Sequence, residues 1–286
     1  MEPVVRHASL PHGIRLPYVE QGNSRGIPVV FLHGITDSWR SFEPVLPELP
    51  EWIHAFALTQ RGHGDADRPV TGYRPQDFAG DVDAFMDAVG LDRAVVVGHS
   101  MGGSVAQRFA LDFPERLLGL VLVGARLAWL DHPEVVQLGE YLTQIMHDPI
   151  DPGFVVEFQK STLGQPVAPA FFDTVVGESL KVPARVWRDT FRECIAEADH
   201  SGLLAGIQVP TLLLCGDRDT FARNGQEALA EAIPGSRLLT YPRAGHALHW
   251  EEPERFVADL AAFVSQLTGV AASCLGRHAR EALPAF

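Results

Sequence analysis

The sequence predicts an α/β protein: a mostly parallel, doubly wound sheet interrupted once by a helical insertion. Three observations predict it. Short β-branched apolar runs recur along the chain and end in glycine-containing turns. Amphipathic stretches of helical period alternate with them. One interval between two such runs, 126–209, is far longer than a crossover helix and its loops require. At 286 residues, 46% apolar and 21% charged, the chain can bury the core that such a sheet needs.

The run 28–32, PVVFL, reads as a strand leading into His33-Gly34. A second at 53–58, IHAFAL, leads towards Arg61-Gly62-His63-Gly64. Phe78, Val82, Phe85, Met86 and Val89 then recur at helical spacing and stop at Gly90. The run 94–97, AVVV, enters Gly98-His99-Ser100, and Val105, Phe109 and Leu111 mark a helix that closes before Pro114. Further strands read at 118–123, 211–215 and 238–241. Phe256, Leu260, Phe263 and Val264 mark a last helix, introduced by Glu252-Pro253. Runs this continuously apolar suit a parallel sheet covered on both faces.

Inside 126–209, Val135, Leu138, Leu142, Ile145 and Met146 share one helical face. Val186-Trp187, Thr190-Phe191 and Cys194-Ile195 share another, after Pro183. Both faces suit helices built over the sheet. The expected division is 1–125 with 210–268 as the core domain, 126–209 as the helical insertion, and 269–286 as a tail of unknown structure.

A net charge of −13 argues against nucleic acid as a partner, because phosphate binding needs a basic face. No apolar run approaches the ~20 residues that cross a bilayer, so no membrane association is expected. The start, MEPVVR, lacks the apolar core of a signal peptide, and the expected location is the cytoplasm. Cys194, Cys215 and Cys274 lack metal-ligand spacing and support no disulfide framework; Cys215 reads as a small buried hydrophobe. Oligomeric state is open, a homo-oligomer being compatible with the sequence.

Gly98-His99-Ser100-Met101-Gly102 matches G-x-S-x-G, with an apolar strand before it and a helix pattern after it. A serine on such a tight turn sits in strained backbone, so small residues two before and two after it avoid clashes. The turn also sets Ser100 at a helix N-terminus, where free N–H groups favour developing negative charge.

Serine oxygen is a weak nucleophile at neutral pH and needs an adjacent base. His246, after the run 238–241 and before the last helix, falls at a strand's carboxyl end, on the same sheet edge as Ser100. His249 reads as a loop-fixing residue, and His99 is expected to point away from the serine hydroxyl. The orienting acid belongs on a neighbouring loop. Gly216-Asp217-Arg218-Asp219 offers two carboxylates; Asp219, farther out, is chosen and Asp217 is read as a turn residue. The order Ser…Asp…His agrees with this assignment.

With these residues in view, the sequence resembles the α/β-hydrolase superfamily over nearly all of 1–268, in a serine-nucleophile, esterase- or lactonase-like branch with a helical cap. The resemblance rests on Gly98 to Gly103, His33-Gly34, and Arg61-Gly62-His63-Gly64-Asp65-Ala66-Asp67-Arg68-Pro69. Phe113-Pro114-Glu115-Arg116, Gly216 to Asp219, and Gly245-His246 through Glu252-Pro253 add to it. It implies an oxyanion hole from the backbone N–H groups of Ile35 and Met101, typically worth ~3 kcal/mol each. His33 would then support the loop. The resemblance also implies that 126–209 caps the active site, making Trp129, Leu130, Tyr141, Phe154, Phe171, Phe172 and Trp187 candidates to line an acyl or leaving-group pocket. Gln60 stands where many relatives carry Asp, at a position read as structural. Epoxide hydrolases and haloalkane dehalogenases of this fold place Asp at the nucleophile; Ser100 argues against both.

The expected chemistry is two-step acyl transfer from a small ester or lactone, with His246 as general base and no metal or organic cofactor. Because the neutral imidazole is the base, activity is expected to fall at acid pH. The alternatives are a carbon–carbon bond hydrolase of a ring-cleavage diketone, a cofactor-free perhydrolase, and a ligand receptor on the same scaffold.

Overall fold

The computed structural model describes residues 3–130, 132–144, 147–196 and 199–268. The chain opens with β1 (Val5–Ser9), β2 (Arg15–Gln21), β3 (Ile27–Leu32) and β4 (Ile53–Leu58). Helix α1 (Pro75–Ala88), β5 (Ala94–His99), α2 (Met101–Asp112) and β6 (Leu117–Val123) follow. Four helices, α3 (Pro133–Gln144), α4 (Pro152–Ser161), α5 (Pro169–Leu180) and α6 (Ala184–Thr190), then intervene, with a π-helical stretch at Phe191–Ala196. The chain returns through β7 (Thr211–Gly216), α7 (Arg223–Ala232), β8 (Arg237–Tyr241), α8 (Leu248–Glu251) and α9 (Pro253–Thr268).

The eight strands form one sheet in the order β1-β2-β4-β3-β5-β6-β7-β8, parallel from β4 to β8. The chain is doubly wound because successive strand residues serve opposite layers. Val30, Leu32 and Val96 pack with Phe78 and Phe85 of α1 and Phe109 of α2. Val29, Phe31, Val95 and Val97 pack on the other side with Phe256, Leu260 and Val264 of α9. A slip of one residue would exchange the two layers, so packing on both faces holds the register.

The hairpin β1–β2 is absent from the sequence expectation. β1 is an edge strand with only Ala8 buried, and β2 carries Pro17, so neither presents a continuous apolar run. Helices α4 and α5 likewise lie outside the sequence expectation. Their buried positions include Gln159, Glu178 and Ser179, which no hydrophobic pattern reveals. On α3, Val135 and Leu142 are buried; Ile145 and Met146 lie outside the described residues. So do the tail 269–286 and Cys274. Cys194 and Cys215 are buried. Among the described residues, no helix is long and apolar enough to cross a membrane.

Candidate active site

Four loops at the carboxyl ends of β5, β3, β7 and β8 meet above the sheet. The first turns sharply. Ser100 has φ 52° and ψ −115°, outside the usual region for a side-chain-bearing residue. A Cβ on Gly98 would lie 2.2 Å from the Gly102 carbonyl oxygen, and one on Gly102 would lie 2.3 Å from that of Leu32. Only hydrogen fits at either position. The Ser100 N–H donates to the Val123 carbonyl at 2.9 Å, locking the turn onto β6. Met101 is the first residue of α2, so its N–H has no acceptor within the helix.

The loop after β3 is held by a histidine. His33 Nδ1–H donates to the Gly34 carbonyl at 2.7 Å, while its Nε2 accepts from the Gln60 N–H at 3.0 Å. The Gln60 side chain donates back to the His33 carbonyl at 2.9 Å. Burial pushes the His33 ring well below the usual imidazole range, with neighbouring His63 adding to the effect. The ring is therefore a neutral brace that shapes the Gly34-Ile35 turn, and Gln60 is its partner.

Asp219, on the loop after β7, is buried and fully occupied. Its Oδ1 accepts from the N–H groups of Phe221 at 2.9 Å and Ala222 at 2.8 Å. Its Oδ2 accepts from His246 Nδ1 at 2.9 Å, which leaves Nε2 of a neutral ring as the acceptor. Asp217 does a different job: its Oδ1 accepts from the Arg243 N–H at 2.6 Å, joining the β7 and β8 loops. The His246 loop is also tied to the insertion, since the N–H groups of His246 and Ala247 donate to the Thr162 carbonyl at 2.7 and 3.1 Å. His99 packs between His246 and His249, meets the His246 carbonyl at 3.1 Å through Nε2, and borders the cavity beside Ser100. His249 is buried against Ser41 and Phe42, where burial pushes it down to about 3.

Ser100, His246 and Ile35 border one cavity, about 530 Å³ when its open mouth and all space between atoms are counted. Of the insertion residues named from sequence as pocket candidates, Trp129 borders it, edge-on to the His246 ring and donating from Nε1 to Ser104 Oγ at 3.0 Å. The others do not. Leu130 is 51% exposed. Tyr141 stacks on Phe154 at 4.4 Å, and Trp187 is fully buried against Phe154 and Phe158, so these rings build the insertion's own core. Phe171 packs on Trp250 outside the cavity, and Phe172 is not in its lining. The apolar wall comes instead from Val135, Leu138, Phe158, Phe191, Ile195 and Phe221. Four of these six lie on faces legible as helical, but periodicity does not say which face meets a cavity.

Three polar residues of the lining, Asp37, Gln159 and Thr162, are not among the site residues read from sequence. Asp37 is buried there, accepting from Gln159 Nε2 at 3.2 Å. Gln159 is buried by contacts with distant segments, Asp37 among them. Among the described residues that line the cavity, none is Lys or Arg.

Comparison with known proteins places these features in context. A family model described as alpha/beta hydrolase fold matches residues 27–253. YisY of Bacillus subtilis, an AB hydrolase superfamily protein, is 30% identical over 259 residues, covering 83% of this chain and 91% of that protein. The esterase RhEst1 from Rhodococcus sp. ECU1013 superposes with a TM-score of 0.79 at 28% identity, covering 92% of this chain and 99% of its own. Est816, described as an N-acyl homoserine lactone degrading enzyme, superposes at 0.76 with 26% identity, covering 90% and 100%.

Proposed function

The chain belongs to the α/β-hydrolase fold family, and from that premise we propose that it is a serine hydrolase of small, uncharged carboxylic esters or lactones. The observation that carries this reading is the buried Asp219–His246 pair, whose imidazole borders one cavity with Ser100. Asp219 holds the tautomer in which Nε2 can accept a proton. His246 takes the Ser100 hydroxyl proton as the oxygen attacks the substrate carbonyl. The N–H groups of Ile35 and Met101 receive the oxyanion, and His246 returns the proton to the leaving alkoxide. Water, deprotonated by His246 in turn, releases the acyl group.

Segment 126–209 acts in this reading as a cap that supplies the apolar wall. The esterase and lactonase neighbours support the substrate class. Among the described lining residues no Lys or Arg offers a counter-charge to the carboxylate of a ring-cleavage diketone, which favours the ester or lactone reading over the carbon–carbon bond hydrolase.

The test compares wild type and Ser100→Ala on p-nitrophenyl butyrate, together with fluorophosphonate labelling. Loss of at least about 10³-fold in kcat/KM, with labelling abolished, is expected. A variant within tenfold of wild type would sink the assignment.

A further inference from the structure

One polar wall of the cavity takes no part in the scheme above. Asp37 lies two residues after Ile35 and borders the cavity together with Ser100 and His246. Among the described residues, no Lys or Arg pairs with it. Its Oδ1 accepts from Gln159 Nε2 at 3.2 Å, a donor group also 2.8 Å from Ser179 Oγ and 3.4 Å from Thr36 Oγ1. The contact of Oδ2 with Ser41 Oγ is 3.4 Å, too long for a strong bond. Ser41 Oγ is also engaged by Trp250 Nε1 at 3.0 Å and His249 Nε2 at 3.1 Å.

The charged and titratable groups around Asp37 come from four elements. His246 stands on the loop after β8, and Glu178 on α5 is held by Arg40 at 3.7 Å and Lys181 at 2.8 Å. His249 on α8 and His99 at the end of β5 are buried, and both are pushed well down by burial, so they remain neutral. A buried carboxylate needs a cation or several good donors to offset its desolvation. Asp37 has neither. Burial pushes its carboxyl up to about 7, against the weaker opposing pull of Gln159, His246 and Ser41.

We propose that Asp37 contacts the substrate as the neutral acid, donating its O–H to an acceptor oxygen of an uncharged ester or lactone bound over Ser100. The proposal rests on the serine-hydrolase reading of the same cavity. With Ser41 too distant to hold the proton, the cavity is its outlet. Ionisation has two effects: the donor is lost, and a negative charge appears two residues from the Ile35 N–H that receives the oxyanion. Substrates bearing a carboxylate are disfavoured by the same charge.

Ethyl butyrate hydrolysis, followed by gas chromatography between pH 5.5 and 9 for wild type and Asp37→Asn, tests this. Asparagine keeps the size and an N–H donor but does not titrate. Wild-type kcat/KM is expected to fall about tenfold per pH unit above 7, and the Asp37→Asn profile to stay level there. Carbon-13 titration of the wild-type aspartate carboxyls supplies a readout independent of turnover and of the variant's folding. One carboxyl is expected to titrate near pH 7. A level wild-type profile, an unchanged alkaline limb in Asp37→Asn, or no aspartate titrating above pH 6 would each overturn the proposal. Fluorophosphonate labelling separates the failures: an unlabelled wild type refutes the serine-hydrolase reading, whereas a labelled enzyme with an unchanged limb refutes only the role of Asp37.

Discussion

Replacing Gly102 by alanine probes the approach of α2 to β3, on which the geometry of the site depends. The added Cβ would lie 2.3 Å from the Leu32 carbonyl oxygen and 2.7 Å from that of His33. Ordinary contact begins near 3.4 Å, so the first turn of α2 must retreat by about 1 Å. Neither obstacle is a flexible side chain; both are backbone oxygens at the end of β3. The retreat therefore separates Ser100 and Met101 on one side from Gly34 and Ile35 on the other. Overpacking of this kind costs about 1–3 kcal/mol of stability. A displacement of 1 Å at reacting groups costs on the order of 10²-fold in rate. Steady-state hydrolysis of p-nitrophenyl butyrate and a thermal melt measure the two effects separately. We expect kcat/KM to drop by about 10² while the melt stays cooperative. A variant within twofold of wild type, with an unchanged melting temperature, would refute the reasoning from close approach.

Two other outcomes follow from burial. Trp187→Ala empties space inside the insertion, beside Phe154 and Phe158. The expected loss is about 3 kcal/mol, at the low end for such truncations, because removing the partnerless indole N–H returns part of the cost. Urea unfolding reads it, and a loss below about 1 kcal/mol would show that Trp187 is not a core residue. The second concerns acid. Burial holds His63 down to about 4 and His249 down to about 3, and it lowers His33 and His99 in the same direction. Folded values below the unfolded ~6.5 contribute stability that is present above that pH and lost as pH falls towards the folded values. His63 alone accounts for roughly 3 kcal/mol by pH 4. Asp37 is shifted the opposite way and regains about as much as His63 loses over the same window, so the net fall comes from His249, His33 and His99. The urea midpoint should therefore fall between pH 7 and pH 4; a constant midpoint contradicts the burial of these rings as neutral species.

The parts legible in sequence are those whose physics is local. The turn from β5 through Ser100 into α2 is specified within five residues, because only hydrogen fits at Gly98 and Gly102. The parallel strands were legible because burial on both faces demands unbroken apolar runs. β1 and β2 are not legible, because an exposed edge and an internal proline leave no such run. Between Asp217 and Asp219, position and family pattern together favour the outer residue, and in the fold it is the Asp219 carboxyl that meets His246 while Asp217 anchors Arg243.

By itself, then, the sequence determined the α/β architecture, the strained serine turn, and the strand ends on which Asp219 and His246 stand. Only the tertiary structure decided what surrounds them. Of the aromatic side chains in the insertion, Trp129, Phe158 and Phe191 face the cavity, whereas Tyr141, Phe154 and Trp187 pack among themselves. An apolar residue satisfies either environment, so hydrophobicity cannot distinguish them. Asp37 and Gln159 are the converse case. They are polar residues buried by a contact between segments 122 positions apart, and a spacing that long leaves no periodic trace in the chain.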